Sequence, residues 1–274
     1  NTVISLYGGQ PSYTIASYQN GIQLVAETGK SYGILRGTDY NYLHGQRLID
    51  SSGRPVRSGN PKADIGNINP DWLGGVTNTF TYGQFSLSFL IDVRKGGDVY
   101  SLDMDYASWS GVIPETAGKN DLGNPIRSPL SQGGGVLLQG VTADGKANTK
   151  HVDASDINVD GGNFPFGSVN SLAAKSYVYD AGYVKLRELS VGWSVPGHVL
   201  GRATLIKGID LSLSGRNLWI IHKNLPYADP EQGAASTTPN STTPIVYNPN
   251  ASIGYQTGVY PSVRTLAFNV KLKF

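Results

Sequence analysis

Along the last twelve residues, 263–274 (VRTLAFNVKLKF), Leu266, Phe268, Val270, Leu272 and Phe274 fall on every second position, with Thr265, Ala267, Asn269, Lys271 and Lys273 between them. Only an extended strand turns a period of two into two faces, here one apolar and one polar. The same alternation recurs upstream. Val76, Phe80 and Tyr82 alternate with Thr77, Thr79 and Thr81, and beyond a turn at Gly83 the residues Phe85, Leu87, Phe89, Ile91 and Val93 return against Ser86, Ser88 and Asp92, which predicts a hairpin. Residues 183–195 (YVKLRELSVGWSV) are extended but change phase. Val184 and Leu186 form the apolar set before Arg187 and Glu188, whereas Leu189, Val191, Trp193 and Val195 form it afterwards. A one-residue slip flips every later side chain, so the pattern predicts a β-bulge near Arg187 and Glu188. Pro196 and Gly197 end that strand, and Ile209, Leu211 and Leu213 open another against Asp210, Ser212 and Ser214, closing at 219–221.

Two further extended pieces precede these, one carrying Ile22, Leu24 and Ala26 and one over 32–42, joined by the turn formers Thr28, Gly29, Lys30 and Ser31. That makes about seven strands by alternation. Residues 45–71 read as loop, 98–109 are ambiguous, and 111–174 and 222–261 are dense in Gly, Pro, Asn, Asp, Ser and Thr. Such stretches are far longer than loops in compact domains and usually carry function. Connections alternate short and long, as in outer-membrane barrels.

The terminal strand by itself fits either a barrel crossing, which takes roughly 9 to 11 tilted residues, or a half-buried strand of a soluble sandwich. Composition favours strands joined by turns: 274 residues hold 35 Gly, 16 Tyr and 15 Pro, and only 15% are charged. No run approaches the roughly 18 to 20 apolar residues of a membrane helix, so a membrane form has to close a barrel. The net charge of +2, with scattered basic residues, gives no footprint for nucleic acid. Without Cys there is no disulfide framework and no thiol chemistry. No signal peptide stands at Asn1, and an exported barrel needs one. Either the protein is not exported or the chain is the tail of something longer.

Few residues point to chemistry. Gly29, Ser31 and Gly33 fit G-x-S-x-G, but a nucleophile elbow turns from strand into helix, and the residues that follow read as extended. Asp156, Asn158 and Asp160, followed by Gly161, have the spacing of a calcium loop, yet Gly167 stands where the bidentate Glu belongs, so they form only a weak cation candidate. His44, His151, His198 and His222 lack metal-ligand spacing. Candidate substrate contacts are Trp72, Tyr106, Trp109, Tyr227, Asp229 and Glu231. The aromatics can stack on sugar rings or peptide side chains, although aromatics at strand ends also serve as interfacial anchors. Asp229-Pro230-Glu231 either shapes a loop or touches a ligand or lid. No catalytic residue and no cofactor is expected.

The run GYVKLRELSVGWSVP (182–196), LSLSGRNLW (211–219), ADPE (228–231), the finish YPSVRTLAFNVKLKF, the earlier NPDWLGGVTNTFTYGQFSLSFLIDVRKGGDVYS (69–101) and GKSYGILRGTDY before it resemble, in order, the C-terminal end of SusC/RagA-family TonB-dependent transporters. The resemblance implies an all-β fold, the C-terminal portion of a 22-stranded antiparallel transmembrane barrel with long extracellular loops. Residues 1–274 would be barrel, with the plug domain and earlier strands outside this chain. It implies import of oligomeric nutrients, glycans or peptides, across the outer membrane of a Gram-negative, Bacteroidetes-type bacterium. The implied partners are a SusD-like surface lipoprotein, TonB acting through the missing N-terminal part, the remaining barrel and plug, an oligosaccharide or peptide substrate, and lipid or lipopolysaccharide. A homodimer of transporter and lipoprotein pairs is also implied. The alternative is a soluble or surface-attached all-β glycan-binding module.

For a barrel, the alternation assigns Phe85, Leu87, Phe89, Ile91, Val93, Phe268, Val270 and Leu272 to lipid, and Ser86, Ser88, Asn269 and Lys271 to the lumen. Counting crossings back from a periplasmic Phe274 puts every short connection on the periplasmic side and every long one in the medium.

Overall fold

In the computed structural model the described residues are 1–154, 172–200, 205–231, 254–258 and 262–274. In chain order the strands are β1 (Ser12–Ser17), β2 (Gln23–Glu27), β3 (Ile34–Gly37), β4 (Tyr42–Leu43), β5 (Gln46–Arg47), β6 (Ala63–Asn67), β7 (Trp72–Tyr82), β8 (Phe85–Lys95) and β9 (Asp98–Ser101). One helix, α1 (Leu102–Ser110), follows. After it come β10 (Val136–Leu137), β11 (His151–Val152), β12 (Val178–Asp180), β13 (Tyr183–Val195), β14 (Gly208–Lys223), β15 (Tyr255–Gln256) and β16 (Thr265–Lys273). They divide between two compact units. Unit 1 comprises Asn1–Asn69, Asp98–Tyr179 and Gly233–Val259, and unit 2 comprises Pro70–Gly97, Asp180–Gln232 and Tyr260–Phe274.

Unit 2 is the expected part. Its five long strands form one antiparallel sheet in the order β16-β14-β13-β8-β7, so each strand pairs with its neighbour in the chain, an up-and-down meander. The hairpin turn sits at Gly83, whose φ of 58° suits the first position of a two-residue loop. Register aligns the apolar residues into one face. Phe80 opposes Leu87, Leu87 opposes Val191, Val191 opposes Leu213, and Leu213 opposes Phe268. The other face carries hydroxyls and charges: Thr79 bonds Ser88 at 3.1 Å, Ser190 bonds Ser214 at 3.0 Å, and Lys273 pairs with Asp210 at 2.8 Å. The eleven residues of β7 run on the order of 36 Å, or about 25 Å in height at a tilt of 45°, the height of an outer-membrane apolar band. The short connections, 83–84 and 196–207, leave one end of the sheet, and the long segments all leave and re-enter at the other, where Trp72, Lys95, Tyr183 and Lys223 align. The sheet keeps two open edges, β7 and β16, and the described residues form no closed barrel.

Unit 1 departs from the expectation. The two early extended pieces do not join the meander; they contribute to a four-stranded sheet, β1-β2-β3-β6. The reason lies in β2, where Leu24, Val25 and Ala26 are all buried, so both of its faces are covered and the apparent alternation does not make a lipid-facing strand. Of the 32–42 stretch, Ile34–Gly37 is strand. The stretch read as loop over 45–71 contains β6, which has one fully buried residue, Ile65, and is extended because β3 supplies its hydrogen-bond partners. The ambiguous 98–109 stretch resolves into β9 and then α1. Ser101 caps the helix by accepting from the Met104 N–H at 3.1 Å, Asp103 and Asp105 lie in its first turn, and Gly111 closes it in the left-handed region, each placement suiting a helix end. The core is aromatic: Tyr255 stacks between Tyr18 and Tyr100, with centroids 4.4 and 5.4 Å away.

Candidate functional site

The bulge is where the sequence predicts it. Pairing of β13 with both β8 and β14 shifts between Leu186 and Glu188: against β8 the extra residue is Arg187, and against β14 the single Arg187 faces both Asn217 and Leu218. In an unbroken strand Lys185 and Arg187 would share the face of Leu189 and Val191. The bulge turns them over, and Lys185 stands opposite Asp92 on the face of Ser86 and Ser88.

Residues 224–231 fold back onto that face. The Lys185 ammonium donates to Asp229 Oδ1 and Glu231 Oε2, both at 2.5 Å. Arg187 donates to Asp92 Oδ2 at 2.8 Å and to Glu231 Oε1. The Tyr183 hydroxyl lies 2.8 Å from Glu231 and 3.2 Å from Asp92, and its ring sits 4.7 Å from the Lys185 nitrogen, a cation–π distance. The Asp-Pro-Glu turn closes on itself, the Glu231 N–H donating to Asp229 Oδ1 at 3.1 Å. Lys223 donates to the Ala228 carbonyl at 2.7 Å. The Lys185 and Asp229 side chains are only 5% and 6% exposed, so each charge depends on the other for what water would otherwise supply.

Burial alone would raise the Glu231 carboxyl, but the hydrogen bonds from Arg187, Lys185 and Tyr183 outweigh it and hold it down at about 2. A carboxylate held that firmly ionised does not exchange protons near neutrality. The cluster therefore acts as a clamp on the first residues of a long connection.

The sequence candidates distribute as follows. Asp229 and Glu231 come together in the clamp, with their carboxylates engaged by Lys185 and Arg187. Tyr227, in the same turn, has a φ of 56° and is exposed. Trp72 begins β7 on the apolar face; a Cβ on Gly74 would lie 2.8 Å from its ring, so that glycine makes room for the indole, and the position suits an interfacial anchor. Tyr106 and Trp109 are neighbours on α1, centroids 5.9 Å apart, both exposed. Asp156, Asn158 and Asp160 lie outside the described residues. His151 sits 2.7 Å from Asp121 and His222 3.0 Å from Asn224, and no group of three metal-binding side chains occurs among the described residues. Beyond Ser31 the chain enters strand β3, as the rejection of a nucleophile elbow requires. Sequence reasoning passed over Lys185, Arg187, Tyr183 and Asp92. The phase slip was the available signal, since it placed two cations on the polar face.

No family model matches the chain. TonB-dependent receptor P3 of Formosa agariphila is 26% identical over 231 residues, covering 84% of this chain and 19% of that protein. TonB-dependent receptor P26 of the same organism is 23% identical over 236 residues, covering 86% and 20%. The chain thus spans about a fifth of the length of the curated relatives it matches. Among solved structures, the RagAB peptide transporter aligns with a TM-score of 0.50 and 17% identity over 98% of this chain and 25% of that one. The RagAB peptide importer in the 'open-open' state aligns with a TM-score of 0.51 and 15% identity over 100% and 25%. The chain is homologous to TonB-dependent receptors, a family of outer-membrane transporters, and its fold is that of about a quarter of a RagAB transporter chain.

Proposed function

We propose that this chain is the closing stretch of the barrel of an energised outer-membrane importer of oligomeric nutrients, glycans or peptides, in a Bacteroidetes-type Gram-negative bacterium. It contributes five crossings to a larger barrel, 22-stranded as in the family it resembles, whose other strands and plug lie elsewhere in the parent protein. The long segments face the medium and meet cargo beneath a SusD-like lipoprotein, and TonB drives uptake without covalent chemistry. Tyr106, Trp109 and Tyr227 are the contacts offered to cargo; Trp72 anchors at the membrane interface, and Asp229 and Glu231 hold the turn that carries Tyr227.

One observation carries this reading. A meander with an apolar and a polar face, all of whose long connections leave the same end, is the plan of an outer-membrane barrel. The chain contains no Cys, so a single introduced thiol is the only one in this segment. In intact cells making the full-length parent, a membrane-impermeant maleimide is expected to label Thr238→Cys and Asp144→Cys and to spare His198→Cys. The reverse pattern inverts the topology, and equal labelling of all three favours a soluble module. Loss of uptake of a glycan or peptide oligomer on deleting TonB, with the barrel still assembled, tests the importer itself.

A further inference from the structure

β14 pairs with β16 only as far as Arg216 opposite Thr265, and from there to Lys223 it is paired on its β13 side alone. Above that point a notch of about 270 Å³ opens between β14 and the residues leading into β16. Leu186, Trp219 and Ile220 supply apolar walls, and Lys185, Arg187, Asn217, Asp229, Ser262 and Arg264 supply the polar lining, the Asp229 carboxylate being taken up by Lys185. Leu186 and Trp219 oppose one another on the apolar face, and Trp219 is well exposed. The notch therefore opens beside β14 at the end that carries the long segments, with Leu186 and Trp219 on its apolar side and Lys185, Arg187 and Asp229 on its polar side.

Its charges are unequal in their ties. Lys185 and Arg187 are held by Asp92, Asp229 and Glu231. Arg264 has no acidic partner among the described residues, and the connection before it cannot provide one, because residues 232–263 contain no Asp or Glu. An unmatched guanidinium beside an exposed indole and aliphatic walls is complementary to an amphipathic anion.

We propose that this notch seats the anionic phosphate headgroup of an outer-leaflet lipid. Arg264 takes the phosphate, Asn217 lies beside it, and Leu186, Trp219 and Ile220 surround the first acyl methylenes. The inference rests on the membrane reading above, which puts this end of the apolar face at the outer boundary of the bilayer.

The test uses the full-length parent purified in detergent, with phosphatidylglycerol as the anionic probe and phosphatidylcholine as the zwitterionic one, and counts retained lipid by native mass spectrometry. Arg264→Gln is expected to weaken phosphatidylglycerol retention about fivefold, Arg264→Lys to restore most of it, and Arg216→Gln, on the polar face, to leave it unchanged. Unaltered retention in Arg264→Gln, equal retention of both lipids, or displacement by millimolar inorganic phosphate overturns the lipid site. So does a result in which Arg264→Gln lowers binding of a carboxylated oligomer while lipid retention holds, which reassigns the notch to cargo. Gel migration with and without boiling separates the two readings: a parent that is not heat-modifiable fails as a barrel, whereas a heat-modifiable parent with no Arg264-dependent lipid fails only here.

Discussion

In unit 1 the side chains of Ile22, Leu35, Ile65 and Tyr100 are at most 1% exposed, whereas in unit 2 Phe80, Leu266, Phe268 and Val270 are each more than half exposed along one continuous face. The two regions draw on the same kinds of residue and treat them oppositely. Unit 1 is organised for water, with apolar groups inside and an ion network of Lys30, Arg36, Glu27 and Asp64 on the surface of its sheet. Among the described residues no second layer covers the apolar face of unit 2, and an exposed patch spanning five strands is far beyond what a soluble monomer tolerates. In the proposed barrel, lipid is the solvent that removes the penalty. The comparison shows that a short alternation does not identify a membrane strand: Ile22, Leu24 and Ala26 stand on every second position, but Val25 between them is apolar and buried too.

The largest effects should separate the two regions most clearly. Tyr100→Ala in the unit 1 core is expected to cost about 3 to 5 kcal/mol and to speed proteolysis of unit 1 in the detergent-solubilised parent, while Phe268→Ala on the apolar face changes cleavage little. Equal changes would erase the contrast. Within unit 2, Asp229→Ala leaves the Lys185 ammonium buried and short of a partner, at a cost of about 3 to 5 kcal/mol, read as faster amide exchange over 224–231. If the clamp is instead an idle surface pair, exchange there stays as in the native protein.

Next in size is the face assignment. Phe268→Lys near the bilayer midplane is expected to cost about 2 to 4 kcal/mol in a liposome folding assay, against little for Asn269→Lys on the polar face. Matching losses would mean that the two faces meet the same solvent. The smallest effect is that of acid. Glu231 has a folded value near 2, below the roughly 4.3 of an unfolded glutamate, so its contribution is complete above about pH 5 and fades as the pH falls toward 2. Amide exchange over 224–231, corrected for intrinsic rates, should be flat from pH 8 to about 5 and rise below. A rise already at pH 6 to 7 would place control with another group.

The meander and its bulge were legible because both depend on period. Five strands of 9 to 16 residues give the pattern room to show, and a slip at Arg187 is visible as a break in it. Strand β6 was not, since a five-residue strand with one buried apolar side chain has no period and owes its conformation to a neighbour. Helix α1 was equally hidden: in LDMDYASWS the apolar positions trace no consistent stripe, and the helix depends on its caps and on burial of Leu102 and Met104.

The sequence by itself determined that residues 76–93, 183–195, 209–221 and 263–274 are two-faced strands, where the phase changes, and which side chains share a face, because strand geometry converts spacing directly into direction. It also carried the resemblance that the comparisons uphold. Tertiary structure decided that the first two extended pieces join a water-type core instead of the meander, and that Asp229 and Glu231 meet Lys185 and Arg187 across more than forty residues of chain. Burial on both faces and long-range ion pairing are properties of what comes to lie nearby, and no local period encodes them.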